Sequence, residues 1–108
     1  MKILFDNGTP KPIAHSLAGH EVTYARGIGW HELKNGELIQ RAEDAGYGVL
    51  LSTDKNIRYQ QNLSGRKIAL VVLGNQRWPL VKLHLDRITA AVNACTPGSY
   101  TEIEIPFE

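Results

Sequence analysis

The chain is poor in the features that assign a protein at sight. It has a single cysteine, Cys95, in 108 residues. One thiol excludes an internal disulfide and the multi-cysteine patterns of structural zinc sites, and suits a reducing, cytoplasmic setting. No apolar run is long. The first, Ile3-Leu4-Phe5, is far too short for the core of a signal peptide or for a membrane span. There is no Gly-x-x-x-x-Gly-Lys-Ser/Thr phosphate loop and no Gly-x-Ser-x-Gly nucleophile elbow. Gly27-Ile28-Gly29 lacks the third glycine of a dinucleotide fingerprint. His15, His20, His31 and His84 have no zinc-ligand spacing. Net charge is only +1, which by itself argues against a strong nucleic-acid binder.

What is present is an alternation of strand and helix patterns over one domain's length. Residues 2–6 read as an apolar strand. Thr9-Pro10 reads as the start of a short helix carrying Ile13 and Leu17, and His20 to Tyr24 alternates as a second strand. Asn35 reads as the cap of a helix over 36–46, with Leu38, Ile39, Ala42 and Ala45 on its buried face and Gly46 ending it. Val49 to Thr53 is a third strand, and a helix over 56–63 follows. The unbroken run Ile68–Leu73 predicts a strand buried on both faces. Pro79 opens a last helix whose stripe is Val81, Leu85, Ile88, Val92 and Cys95, and Tyr100 to Ile105 alternates as a final strand. This order predicts a three-layer α/β/α sandwich with a central, mainly parallel five-stranded sheet.

Two of the strands run into an aspartate: Ile3-Leu4-Phe5-Asp6 and Val49-Leu50-Leu51-Ser52-Thr53-Asp54. Ligands of open parallel sheets sit beyond the strand C-termini. If these strands are neighbours, two carboxylates share that crevice, and a proton or a divalent cation must relieve their repulsion. Glu37, in the first turn of the second helix, and Asn56, two residues past Asp54, are further oxygen donors of the hard type that Mg²⁺ and Mn²⁺ prefer. Such a cation activates water and neutralises charge on a phosphate. Charge is also unevenly spread: residues 1–54 balance at −2, residues 55–101 at +6. The segment 55–67 has four cations and no acid, as a phosphate-holding stretch would. Each residue has a plainer reading as well. Asp6 in Asp-Asn-Gly shapes turns, Asp54 and Asn56 suit helix caps, and Glu37 answers a helix dipole. Trp30 and Trp78 fall near predicted strand ends, where they stack bases or, more simply, pack.

Lys2-Ile3-Leu4-Phe5-Asp6, Glu37-Leu38-Ile39 and Leu50-Leu51-Ser52-Thr53-Asp54-Lys55-Asn56 together resemble the PIN-like domains, in particular a small stand-alone group related to VapC toxins. Leu33 to Leu38 and Arg58 to Arg66 are similar to signatures of that group. The resemblance implies a PIN-type sandwich, a Mg²⁺ or Mn²⁺ site, cleavage of single-stranded RNA, and the toxin role of a toxin–antitoxin pair, with an antitoxin protein and a second copy as partners. It implies Asp6, Glu37 and Asp54 as catalytic acids and metal ligands, assisted by Asn56, with Thr53 orienting Asp54. Lys55, Arg58, Gln60 and Gln61 would hold the RNA. The chain departs from the pattern at Asn7 and Asn56, where many relatives carry acids. The alternative expectation is therefore a catalytically inactive PIN-like module that binds RNA or a partner protein.

Overall fold

The structure is a computed structural model that describes residues 1–57 and 63–106. Five parallel strands form one sheet: β1 (Lys2–Phe5), β2 (Glu21–Tyr24), β3 (Val49–Ser52), β4 (Ala69–Leu73) and β5 (Tyr100–Ile103). Their order across the sheet is β2-β1-β3-β4-β5. Burial follows position. Every residue of β3 and β4 is buried, whereas the outer strands β2 and β5 are largely half-exposed. Continuous apolar runs thus occupy the centre, because both faces of a parallel sheet are covered.

Alternate side chains divide the core into two layers. Ile3, Phe5, Val49, Leu51, Val71 and Leu73 face Ile13 and Leu17 of the 3-10 helix Lys11–Ser16, and Val81, Ile88 and Val92 of the C-terminal helices. Leu4, Leu50, Leu70 and Val72 face Leu38, Ile39 and Ala42 of α1 (Asn35–Asp44). The expected three-layer sandwich is the observed architecture, and its sheet is wholly parallel. Among the described residues no helix is long and apolar enough to cross a membrane.

Local differences from the sequence reading have physical reasons. The segment after Pro10 is a 3-10 helix of six residues rather than an α-helix. Pro10 and Pro12 remove amide donors that an α-helix of this length would need. The stripe Val81 to Cys95 is carried not by one helix but by α2 (Trp78–Val81), a 3-10 turn Lys82–His84 and α3 (Leu85–Ala94). Val81, Ile88 and Val92 still face the core; Cys95 lies just beyond the helix, half-buried, with its thiol donating to the Ala91 carbonyl at 3.1 Å. Ala45, assigned to the buried face of α1, is exposed, while Gly46 takes the left-handed conformation (φ 87°) that ends the helix. The expected helix over 56–63 falls mostly outside the described residues.

Candidate functional site

The strand order reverses at β1 and β3. From β1 the chain goes outward to β2, then crosses back to β3 on the other side. Beyond the C-terminal ends of two such strands a sheet opens a crevice, because the connections leave in opposite directions. β1 and β3 pair in register, Phe5 opposite Leu51, and the Asp6 amide extends the ladder to the Leu51 carbonyl at 2.9 Å. The apolar runs therefore deliver Asp6 and Asp54 to one corner.

Ser52 joins them. Its side chain is fully buried. Its hydroxyl donates to Asp6 Oδ2 at 2.8 Å and its oxygen accepts the Asp54 amide at 3.1 Å. Asp6 Oδ1 accepts the Asn7 amide at 2.7 Å. Asp54 Oδ1 accepts the Asn56 amide at 2.9 Å, and Oδ2 accepts the Asn35 side-chain amide at 2.8 Å. Burial pushes the Asp6 carboxyl above the usual carboxylate range; the Ser52 and Asn7 bonds pull the other way, and the charge of Asp54 adds to the rise. The pairing of β1 with β3 and the Ser52 hydroxyl bonded to both acid segments bring the two aspartates together.

The loop after β1 is tightly built. The Thr9 amide returns to the Asp6 carbonyl at 3.1 Å, with Gly8 at φ 84°. A Cβ on Gly8 would stand 2.9 Å from Gln76 Oε1 and 3.2 Å from Thr53 Oγ1, so the loop after β4 closes over this turn. Thr9 is buried and its hydroxyl donates to the Leu51 carbonyl at 3.1 Å, a bond to β3 rather than a helix cap. Asn7 donates through its side chain to the His31 carbonyl at 2.7 Å, tying the turn to the loop before α1.

The remaining sequence-predicted residues divide. Glu37 does not join the pair. Asn35 occupies the first position of α1 and spends its side chain on Asp54. At 3.6 residues per turn, a residue two positions on points about 200° away. Glu37 accordingly lines a separate depression of about 600 Å³ with Trp30, Gln40, Arg41 and Asp44. Among the described residues no group of three or more His, Cys, Asp and Glu side chains stands together as metal ligands. Asn56 contributes its backbone amide to Asp54, and its exposed side chain stays beside the crevice. Thr53 makes no hydrogen bond to Asp54; the hydroxyl bonded to both acid segments is that of Ser52. Lys55 is exposed and opens onto a depression that also carries Glu102 and Glu104, an acidic setting for a phosphate ligand. Arg58, Gln60 and Gln61 lie outside the described residues. Trp30 packs edge-on against Tyr47 (centroids 6.2 Å apart) and Trp78 packs against the core, as the plainer reading had it.

Sequence reasoning missed Asn35 and Ser52. Asn35 had been read as a cap, but Lys34 holds the cap position. The site is thus two aspartates ringed by Asn7, Asn35, Asn56 and Ser52. Among the described residues each carboxylate oxygen accepts one hydrogen bond, which leaves it capacity for a further one. Two hard oxygen donors with capacity to spare fit a Mg²⁺ or Mn²⁺ ion that retains most of its water. The chain matches no family model, no curated protein and no solved structure.

Proposed function

We propose that the chain is a Mg²⁺- or Mn²⁺-dependent endoribonuclease of the PIN-like type in which Asp6 and Asp54 hold the cation. The supporting observation is their delivery, by adjacent strands, to the crevice where the strand order reverses. A bound divalent cation supplies charge neutralisation at a phosphate and a more acidic water. The residues of the chain do the rest. Ser52 fixes Asp6, and Asn35 with the Asn56 amide fixes Asp54, so both carboxylates are oriented before ligand arrives. A carboxylate of the pair receives the proton of the attacking water. Asn56 offers an amide at the rim.

Mn²⁺ calorimetry and cleavage of single-stranded RNA, run on wild type and Asp54→Asn, test this reading. Saturable Mn²⁺ binding and metal-dependent cleavage, both lost in the variant, are the expected results. A folded wild type that neither binds Mn²⁺ nor cleaves overturns it. A second reading, a non-catalytic RNA- or protein-binding module, draws support from the three asparagines around only two acids. It predicts RNA or partner binding that survives both Asp54→Asn and removal of metal.

A further inference from the structure

On the other side of Asp6, between the ends of β1 and β2, lies a small pocket of about 70 Å³. Asp6, Asn7, Gly8, Thr9, Lys11 and Arg26 supply its polar lining. Liquid water occupies roughly 30 Å³ per molecule. The pocket therefore has room for a phosphate group. Tyr24 also lines it and is held edge-on by Phe5, centroids 5.6 Å apart. Lys11 Nζ lies 5.3 Å from the centre of the Tyr24 ring, a cation–π contact that keeps the ammonium over the pocket. The Ala25 amide continues the β1–β2 ladder to the Phe5 carbonyl at 2.9 Å, which sets Arg26 just past the strand end. Lys11 and Arg26 are both exposed, and neither is ion-paired to a described carboxylate. Asp6 is the one acid in the lining, so cations outnumber it.

We propose that Lys11 and Arg26 form a phosphate-binding subsite that takes a backbone phosphate of single-stranded RNA next to the one at the acid pair. This rests on the nuclease reading for the identity of the strand. It also adds a direction: the strand crosses the crevice towards β2, over Asp6, and not towards the glutamates beside Lys55. Two cations that pair with no described carboxylate, beside a cavity that admits a phosphate, bind through charge and need no base contact.

The test is the salt dependence of binding of a short fluorescein-labelled oligouridylate, measured in EDTA so that no metal-dependent cleavage intervenes. Wild type is compared with Lys11→Gln, Arg26→Gln, the double variant, and Lys67→Gln at the opposite, N-terminal end of the sheet. Each lost phosphate contact on a single strand lowers the slope of log K against log salt by about 0.7. The double variant is expected to lose about twice that, while Lys67→Gln keeps the wild-type slope. An unchanged slope in the folded single and double variants overturns the subsite, as does an equal loss in Lys67→Gln. Saturable inorganic phosphate binding without oligouridylate binding overturns the RNA assignment. Loss of the nuclease reading shows instead in Mn²⁺ calorimetry and cleavage, which this slope does not report.

Discussion

Glu43 and Asp6 both accept backbone amides, and they are held in opposite ways. Glu43, on α1, accepts the Lys67 amide at 2.6 Å and the Ile68 amide at 3.3 Å, with Arg66 alongside at 3.4 Å. The Lys67 bond chiefly holds its carboxyl below the usual range; desolvation opposes it, and the Ile68 amide and the charges of Arg66 and Lys67 add to the lowering. Asp6 also accepts a backbone amide and a buried hydroxyl, yet burial outweighs both and its carboxyl is raised. Glu43 fastens α1 to the entry of β4 and is comfortable there. Asp6 is a desolvated acid beside a second acid, so its surroundings disfavour its charged form. Groups held against their own preference concentrate at functional sites.

The largest effect that would sharpen this contrast is functional. Asp54→Asn should abolish Mn²⁺ binding with the melting temperature nearly unchanged; a collapse of the fold would return Asp54 to a structural role. Ser52→Ala removes a buried bond to a charged partner and should cost about 1.5–3 kcal/mol in urea unfolding, with Asp6 pushed still higher because the bond now lowers it. Gly8→Ala imposes a side chain on a left-handed backbone and on the Gln76 and Thr53 side chains, for about 1–2 kcal/mol by the same assay. The smallest effect concerns Glu43. Its folded pKa is depressed, so its stabilisation is present above the unfolded value and lost as pH falls through the folded one. Glu43→Gln should therefore lower the melting temperature at neutral pH and leave it near wild type in acid. Asp6 has the reverse sign: its folded value is raised, so its favourable contribution exists in acid and disappears as pH rises through that value.

The sheet was legible because its central strands are unbroken apolar runs, and those runs carry Asp6 and Asp54 to neighbouring strand ends. What composition could not reveal is side-chain direction. Asn35 and Glu37 sit two apart in one helical turn, and only the packing of Leu38, Ile39 and Ala42 decides which of the two faces β3. Ser52 and Thr53 are both hydroxyl residues before Asp54. The strand's alternation turns Ser52 toward Asp6, and a sequence alone leaves that phase open. The broken C-terminal helix was hidden for a related reason, since intervals of three and four describe the stripe whether or not a 3-10 turn interrupts it.

If Asp6 serves the proposed cation site, its buried carboxylate is charged there at the expense of stability at neutral pH. Thermal melting of metal-free wild type and Asp6→Asn at neutral pH, each repeated with Mn²⁺, tests it most directly. Asp6→Asn is expected to melt at or above wild type without metal, and Mn²⁺ to raise only the wild-type transition. An Asp6→Asn variant that melts well below wild type, with Mn²⁺ leaving both unmoved, would contradict it.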